Sequence, residues 1–172
     1  MTQETVYHNI PPEYDAESRV LILGSFPSVR SREAGFFYAH PQNRFWPLLA
    51  SLFSLPAPRT VEEKKALLHA NHIALWDSAA SCRITGSGDA SIRSAQPNDI
   101  PALLSKTKVR AIFANGQTAA RLYARLIEPI TGIQAIVLPS TSPANAAYSM
   151  DRLLDAWAAL RDELLKQENN LS

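Results

Sequence analysis

Short apolar runs alternate with longer amphipathic stretches along this chain. Four of these runs consist mainly of β-branched or aliphatic residues and are too short for most helices. Each is bounded by Gly, Pro, Asn or Asp, which predicts buried strands rather than helix segments. The predicted strands are Val20–Leu23, Ile73–Trp76, Val109–Ala114 and Ile133–Leu138.

Helix start signals lie between these runs. Thr60 and Glu63 form a capping box, and Asn43 and Asn98 are side chains of the type that caps a first turn. The predicted helices start near Asn43, Thr60, Asn98, Gln117 and Ser149 and end near Phe53, Ala70, Ser105, Ile127 and Gln167. Alternating strands and helices, with strands that are apolar throughout, are typical of a parallel sheet covered by helices on both sides. We therefore predict one three-layer α/β/α domain over residues 1–172, around a central four-stranded, mostly parallel sheet.

Composition narrows the possible classes of protein. The chain has 172 residues, of which 46% are hydrophobic, and this excludes an intrinsically disordered protein. The single cysteine, Cys82, excludes a disulfide framework and a multi-cysteine metal site, and it favours a reducing compartment. We find no secretory signal and no window near the ~20 apolar residues that a membrane span needs. We therefore expect a cytoplasmic protein with no membrane partner.

Charge is unevenly distributed, although the formal total is only +1. Residues 19–59 and 83–125 are basic, whereas residues 1–18 and 126–172 are acidic. If the two basic stretches fold into one face, that face would favour a polyanion. A solvated surface of mixed charge is an equal alternative on charge alone.

Small and polar residues follow every predicted strand. In an open parallel sheet the carboxyl ends of the strands share one edge, and ligands bind in the crevice there. The sequence therefore predicts a site at that edge, although ordinary turns also favour these residue types. The segments that would meet are Gly24-Ser25-Phe26-Pro27-Ser28, Asp77-Ser78, Asn115-Gly116 and Pro139-Ser140-Thr141-Ser142-Pro143.

The segment from Gly35 to Trp46 combines aromatic rings with a histidine, an amide and an arginine. Aromatic rings beside arginine and amide donors are what proteins use to hold an unstacked nucleobase and its phosphate. Phe45 and Trp46 are explained as helix core. Tyr38, in a loop, and Asn43, at a cap, are the functional candidates.

Three motifs make the chain similar to the uracil-DNA glycosylase superfamily, and most similar to its hypoxanthine-DNA glycosylase branch, over nearly its whole length. These motifs are Gly24–Ser28, Tyr38–Trp46 and Leu138–Asn145. The His-Pro-x-Asn-Arg-Phe-Trp run in the second motif is shared with mismatch-specific uracil-DNA glycosylases. Members that act strongly on uracil place Asp or Asn before the proline of the first motif, where it orients the attacking water, and this chain has Phe26 there. The resemblance then implies that the amide of Asn43 takes over as the catalytic residue.

The chemistry of the reaction agrees with these residue types. Breaking an N-glycosidic bond develops oxocarbenium character on the sugar and negative charge on the base, so the enzyme must position water and stabilise the departing base. An amide suits the first task because it accepts and donates at once. No lysine belongs to a strand-end motif, and no histidine has a matching set of metal ligands. We therefore expect a monofunctional DNA glycosylase with no cofactor and no metal.

The base pocket is assigned to the strand ends and the aromatic segment. Tyr38 would stack on the extruded base beside Phe26, and an ionised Asp77 would accept from the N1–H group of hypoxanthine. Asn115 or a backbone N–H would donate to O6, whereas the alternative for Asp77 is a turn cap with Ser78. The predicted pocket residues are Gly24, Ser25, Phe26, Pro27, Tyr38, Asp77 and Asn115.

Contacts to DNA are assigned to the second motif and to the turn before the last helix, where hydroxyl and N–H groups can bind phosphates. The segment Ser142-Pro143-Ala144 stands where uracil-type enzymes carry a bulky wedge, and Leu138 replaces their polar residue. We expect weak duplex penetration unless Pro143 or a nearby loop fills the gap. The expected partner is DNA containing a deaminated base, bound by a monomer located with the nucleoid. The predicted DNA-contacting residues are His40, Arg44, Ser140, Thr141, Ser142, Pro143 and Asn145.

Three other functions stay open on the sequence. A serine hydrolase would use Ser25 as nucleophile, His40 or His72 as base and Asp77 as orienter, but the chain has no G-x-S-x-G elbow. A non-catalytic nucleotide- or damaged-DNA-binding module would use the same fold. Within the glycosylases, the alternative is a uracil or mismatch specialist.

Overall fold

The computed structural model describes residues 4–84 and 93–171. Strands and helices alternate over most of these ranges. In chain order the elements are β1 (Glu4–Tyr7), β2 (Val20–Gly24), α1 (Val29–Ala34), α2 (Phe45–Leu52), α3 (Val61–Ala70), β3 (Ile73–Asp77), β4 (Ala79–Ile84), β5 (Arg93–Pro97), α4 (Ile100–Ser105), β6 (Ala111–Asn115), α5 (Gln117–Leu126), α6 (Glu128–Thr131), β7 (Ile136–Leu138) and α7 (Met150–Asn169).

The central sheet consists of four parallel strands in the order β3-β2-β6-β7. All residues of β2 are buried, as expected for a strand that is covered on both faces. In the register of the sheet, Gly24 lies opposite Asp77 and Asn115 lies opposite Leu138. The polar ends of the strands therefore share one edge, and the predicted four-stranded parallel sheet is confirmed.

Helices cover both faces of this sheet, which confirms the predicted three layers. On one face α2, α3 and α7 contribute Phe45, Leu68 and Trp157 to a common core. On the other face α4 and α5 contribute Ile100 and Tyr123 to a second core. The rings of Phe45 and Trp157 pack edge to face with centroids 6.0 Å apart, so the start of α2 is fixed against α7.

A second sheet, antiparallel and of order β1-β4-β5, is not predicted by the sequence pattern. Its strands β4 and β5 are rich in small and polar residues, and their register is irregular around Ser81, so no apolar alternation marks them. β4 follows β3 after the single residue Ser78. The second sheet thus starts at the carboxyl edge of the first one, and it brings the residue after β1, His8, to that edge through a bond from its N–H to the Ala80 carbonyl (2.6 Å).

Two predicted strands begin too early. The N–H of Val109 is taken by the Thr107 hydroxyl at 3.3 Å, and β6 begins two residues later. The carbonyl of Ile133 accepts from the Tyr123 hydroxyl at 2.5 Å, and β7 has only three residues. In both cases a side-chain hydroxyl forms a hydrogen bond with a backbone N–H or carbonyl group that would otherwise bond to a neighbouring strand. The helices α1 and α6 have six and four residues and are too short to show a helical period.

The helix signals are mostly accurate, but two predicted caps lie one residue too early: the cap of α2 is Arg44 rather than Asn43, and that of α4 also differs. The capping box at the start of α3 is present, and α7 begins after Ser149 as expected. The cap of α4 is Asp99, not Asn98. The Asn98 amide instead donates to the carbonyls of Asp77 (2.8 Å) and Ala79 (3.1 Å), and it therefore fixes the backbone that joins the two sheets.

Candidate active site

A cavity of about 210 Å³ opens at the carboxyl ends of the central strands. Its walls are the ends of β3 and β6, the loops after β2 and β7, and part of the aromatic segment before α2. Two residues of the predicted site, Arg44 and Asn145, do not line it. The predicted site residues that do line it are Gly24, Ser25, Phe26, Pro27, Tyr38, His40, Asn43, Asp77, Asn115, Ser140, Thr141, Ser142 and Pro143.

Gly24 allows the carboxylate of Asp77 to lie against the end of β2. A Cβ atom at Gly24 would be 2.2 Å from Asp77 Oδ1 and 3.2 Å from the Tyr38 hydroxyl. No side chain fits there, so glycine is required by the close approach of these two groups. Asp77 and Tyr38 therefore meet at the same point of the cavity.

Asp77 pairs with His8, which is not among the site residues predicted from the sequence. The distance from His8 Nε2 to Asp77 Oδ2 is 2.8 Å, and the two side chains are 3% and 5% exposed. The N–H of Ile10 donates to His8 Nδ1 at 3.2 Å, which assigns the imidazole proton to Nε2, where it is donated to the carboxylate. The rings of Phe26 and Trp76 pack edge-on against this imidazole. Asp77 keeps Oδ1, an acceptor, for the cavity.

No spacing or motif in the sequence indicates the contact between His8 and Asp77. The two residues are 69 positions apart, and they meet because β1 pairs with β4. The alternative assignment of Asp77 as a turn cap with Ser78 is wrong in this structure. The Ser78 hydroxyl donates to the Ala119 carbonyl at 3.4 Å, on the other side of the strand end.

Tyr38 brings a buried hydroxyl beside Asp77. Within the described parts of the chain, no group meets this hydroxyl in hydrogen-bonding geometry, although the Asn115 side chain is close enough to act on it. Burial, followed by the charge of Asp77, raises the pKa of Tyr38 far above its usual range, against a smaller lowering by the Asn115 side chain. One face of the ring stacks on Phe45 with centroids 4.0 Å apart, so the predicted stacking on a base applies to the other face. The backbone φ of 52° is rare for a residue with a side chain and is the kind of strain found at functional sites.

Asn43 lies directly before α2, whose cap position is taken by Arg44. The Asn43 carbonyl oxygen, Oδ1, accepts from the N–H of Phe45 at 3.0 Å and from the Thr141 hydroxyl at 2.9 Å. Its amide nitrogen makes no hydrogen bond to the described part of the chain. Asn43 therefore supports the first turn of α2 and leaves its NH2 group unpaired beside the cavity.

Asn115 is bound at both ends of its amide by Thr141. Its Oδ1 accepts from the Thr141 N–H at 3.1 Å, and its Nδ2 donates to the Thr141 hydroxyl at 3.0 Å. Thr141 is fully buried. These bonds join the end of β6 to the loop after β7, and they leave Asn115 with one amide hydrogen, rather than two, that could be donated to O6 of a base.

Arg44 holds the loop after β7, and its assignment to phosphate binding stays a prediction. Its guanidinium donates to the carbonyls of Ser142 (3.3 Å), Asn145 (3.0 Å) and Tyr148. Its backbone N–H donates to the Thr141 carbonyl at 3.1 Å. Three N–H groups of the side chain are therefore engaged within the protein. Arg44 thereby fixes the shape of this loop.

Polar side chains within the same loop also bind its backbone. Ser140 Oγ accepts from the Ser142 N–H at 3.1 Å, and the Asn145 amide donates to the Ser140 carbonyl at 3.0 Å. Gly116 has a φ of 97°, and a Cβ atom there would be 3.1 Å from the Cβ of Ser140. The loop is therefore a preformed turn. The phosphate contacts of its hydroxyls stay a prediction.

The arrangement of histidines argues against a serine hydrolase. Asp77 pairs with His8, and neither His40 nor His72 bonds to it. His40 Nδ1 accepts from the Gln42 N–H at 3.1 Å, so His40 carries its proton on Nε2. His72 precedes β3 and lies at the opposite edge of the sheet. The Ser-His-Asp arrangement that the serine hydrolase alternative requires, with His40 or His72 bonded to Asp77, is therefore not assembled.

Some features are missing from residues 4–84 and 93–171. In these ranges no group of three or more His, Cys, Asp or Glu side chains could hold a metal ion, and no lysine lines the cavity. None of the helices described there is long and apolar enough to cross a membrane.

The parallel sheet, the cavity at its carboxyl edge and the motifs that line this cavity together indicate the class of this protein. The family model of the Uracil DNA glycosylase superfamily matches residues 11–162, and the chain belongs to this superfamily. Two curated proteins named hypoxanthine DNA glycosylase are similar to it. The one from Methanosarcina acetivorans is 34% identical over 157 residues, which cover 90% of this chain and 98% of that protein. The one from Methanosarcina barkeri is 29% identical over 153 residues, which cover 86% and 93%.

A solved structure has the same fold. The solution NMR structure of a Methanosarcina acetivorans protein assigned to the uracil DNA glycosylases is 31% identical to this chain and superimposes with a TM-score of 0.79. The match covers 94% of this chain and 99% of the other. The predicted uracil-DNA glycosylase-like fold is therefore confirmed.

Proposed function

We propose that this protein is a monofunctional DNA glycosylase that extrudes a deaminated base, hypoxanthine, and hydrolyses its N-glycosidic bond to leave an abasic site. Membership of the superfamily and similarity to two proteins named hypoxanthine DNA glycosylase support the reaction class. The observation that carries the choice of base is the pair of His8 and Asp77, because it leaves one carboxylate oxygen as an acceptor in the cavity.

An acceptor at Asp77 Oδ1 selects bases with a protonated ring nitrogen. Hypoxanthine has an N1–H group that would donate to Oδ1, next to an O6 that accepts. Only one of the two hydrogens of the Asn115 Nδ2 group is used by Thr141, so the second hydrogen, or a backbone N–H, is the donor available for O6. Adenine has no hydrogen on N1, so its lone pair would face the carboxylate, and buried mismatches of that kind are strongly rejected.

Two other bases are distinguished by shape. Guanine shares the N1–H group of hypoxanthine, and its 2-amino group would be excluded by an apolar wall formed by Phe26, which is held against the His8 ring. Uracil has a comparable N3–H and carbonyl, but its single ring would fill a purine pocket poorly. We therefore expect hypoxanthine to be the preferred substrate and uracil a weaker one.

The hydrolysis itself needs few groups. The base leaves with the electron pair of the bond to C1′, a water molecule adds its hydroxyl to C1′, and the remaining proton of that water neutralises the base. Asn43 is the residue that we assign to this step, because its NH2 group is unpaired beside the cavity. Since no lysine lines the described cavity, the residues there support simple hydrolysis without a Schiff base.

DNA is held, in this proposal, by the rim of the cavity. His40 has its proton on Nε2, and the Ser140 and Ser142 hydroxyls can donate to phosphates that flank the extruded base. Thr141 is buried, and its hydroxyl is bonded to Asn43 and Asn115 instead of being available to a phosphate. Pro143 is the candidate to fill the space that the base leaves. We further propose that the protein acts as a monomer on nucleoid DNA in the cytoplasm.

A single-turnover excision assay tests the proposal. Labelled oligonucleotides would carry hypoxanthine, uracil, xanthine or an alkylated base, in single and double strands, and abasic sites would be revealed by alkali. We expect hypoxanthine to be excised fastest, and DNA affinity to fall with rising salt. Faster excision of uracil would support the uracil specialist instead. A shift of DNA mobility without abasic sites would support a non-catalytic binding module.

A further inference from the structure

Two backbone N–H groups determine how the amides of Asn43 and Asn115 are oriented. The N–H of Phe45 lies 3.0 Å from one terminal atom of Asn43, and the N–H of Thr141 lies 3.1 Å from one terminal atom of Asn115. A backbone N–H can only donate, so both terminal atoms are carbonyl oxygens. The NH2 groups of the two amides therefore point away from these contacts.

The hydroxyl of Thr141 connects the two amides in one direction only. The amide nitrogen of Asn115, 3.0 Å away, donates to Thr141 Oγ1. Asn43 Oδ1, 2.9 Å from the same hydroxyl, has no hydrogen and must accept from it. The single proton of the hydroxyl therefore points at Asn43. Because Thr141 is completely buried, this arrangement is part of the protein interior.

The direction of these bonds restricts what Asn43 can do. A carbonyl oxygen has two lone pairs, and those of Asn43 are occupied by Phe45 and Thr141. Asn43 therefore has no acceptor left for the proton of an attacking water. Only its NH2 group is available to a substrate. This corrects the expectation that the amide accepts and donates at once.

We infer that Thr141 is a positioning residue that makes Asn43 a hydrogen-bond donor to the departing base. This inference rests on the proposed glycosylase function. Negative charge develops on the base as its bond to C1′ breaks, and a donor already aimed at that charge lowers the barrier without reorganisation. A donor to the water oxygen would instead reduce the nucleophilicity of the water. Thr141 thus acts on the reaction only through the orientation of Asn43.

The first experiment removes and restores the hydroxyl of Thr141. In single-turnover excision of hypoxanthine, Thr141→Val should lower the maximal rate about 10- to 100-fold, on the scale of a small misplacement of a reacting group. The half-saturating enzyme concentration should stay the same, and Thr141→Ser should recover most of the rate. Thr107→Val is the matched control, because it removes a hydroxyl bonded to the Leu103 carbonyl away from the cavity. Equal rates for the parent and Thr141→Val would overturn the inference.

The second experiment separates a donor from an acceptor at Asn43. Asn43→Asp keeps the oxygen that Phe45 and Thr141 bind but has no N–H to donate. If Asn43 acts as a donor, Asn43→Asp should lose as much rate as Asn43→Ala. A rate for Asn43→Asp near or above that of the parent would show that an acceptor is needed, and would overturn the inference.

A spectroscopic measurement keeps the inference testable apart from the proposed function. The side-chain amide resonances of Asn43 and Asn115 can be followed by 15N NMR without DNA. Thr141→Val should shift both, Thr141→Ser should restore both, and Thr107→Val should move neither. If the parent excises no base while these shifts occur, the proposed function fails and the positioning of Asn43 by Thr141 stands. If the amide resonances do not respond to Thr141→Val, the positioning role fails whatever the activity.

Discussion

Two walls of the cavity differ in whether their polar groups are hydrogen-bonded within the protein. In the amide wall, made of Asn43, Asn115 and Thr141, the acceptor oxygens of both amides and the hydroxyl are bonded within the protein. In the carboxylate wall, made of His8, Tyr38 and Asp77, no group of the described chain meets the buried Tyr38 hydroxyl in hydrogen-bonding geometry. Asp77 is bonded there through one carboxylate oxygen and presents the other to the cavity.

This difference indicates which wall positions a reacting group and which wall recognises the base. Bonds made inside the protein fix the geometry of a group but remove it from direct contact with a ligand, whereas a buried polar group without a partner is costly until a ligand satisfies it. The amide wall is therefore suited to the chemical step, because it fixes Asn43 and leaves the whole NH2 group of that residue unpaired. The carboxylate wall is suited to reading the edge of a base.

The largest effect is expected in the amide wall. Asn43→Ala should lower the single-turnover rate about 10²- to 10³-fold, the range seen when one preorganised donor is removed. DNA affinity, measured by anisotropy, should change far less. Loss of the bond to the first turn of α2 should cost about 1 kcal/mol in the free energy of unfolding. A variant of normal rate that is merely less stable would reduce Asn43 to a helix cap.

The next effect belongs to the carboxylate wall and concerns base choice. In Asp77→Asn the His8 Nε2–H would still hold an oxygen, so the new NH2 group would face the cavity and oppose the N1–H of hypoxanthine. Excision of hypoxanthine should fall about 10- to 100-fold, since a hydrogen bond to a charged group is worth about 1.5–3 kcal/mol. The rate ratio of hypoxanthine to adenine measures this directly. An unchanged ratio would exclude Asp77 as the group that reads the base.

A smaller effect should distinguish the ring of Tyr38 from its hydroxyl. Tyr38→Ala removes the stacking surface and should weaken productive binding by about 1–3 kcal/mol. Tyr38→Phe keeps the ring and removes a buried hydroxyl that lacks a partner, so the free protein should be no less stable and the loss of binding should be mild. Half-saturating concentrations for the two variants provide the test. Equal losses would argue that the phenol, not the ring face, is what matters.

The smallest effect is on stability at alkaline pH. The unfolded chain ionises its tyrosines near pH 10, whereas burial raises the pKa of Tyr38 in the folded protein. Above about pH 10 the unfolded chain has lost the Tyr38 proton that the folded protein still keeps. The free energy of unfolding therefore falls as pH rises. Each such group contributes a slope of up to about 1.4 kcal/mol per pH unit. Urea unfolding of Tyr38→Phe between pH 9 and 11 should show a shallower decline than that of the parent, and parallel curves would contradict it.

The apolar runs and the residues that follow them determined the sheet and the place of the cavity. Four strands could be predicted because their hydrophobic pattern is local, and their carboxyl ends had to share an edge once the strands were parallel. The prediction that all four are buried is wrong for the edge strand β7, where Ile136 and Val137 are exposed. The strands of the second sheet have no such pattern, since their residues are small and polar. That sheet was decided by pairing with neighbours rather than by local preference.

The sequence identified most residues of the site by position but not by hydrogen-bond partner. It could place Asn43, Asp77 and Asn115 at the edge of a sheet because each follows or precedes a recognisable element. Only the tertiary structure joined His8 to Asp77 over 69 positions and Thr141 to Asn43 over 98. A side chain's partner depends on which distant segments the topology brings together, and its remaining donors and acceptors depend in turn on that partner. For that reason the amino-acid sequence indicated where a base would bind, and the folded chain decided which atoms are left to bind it.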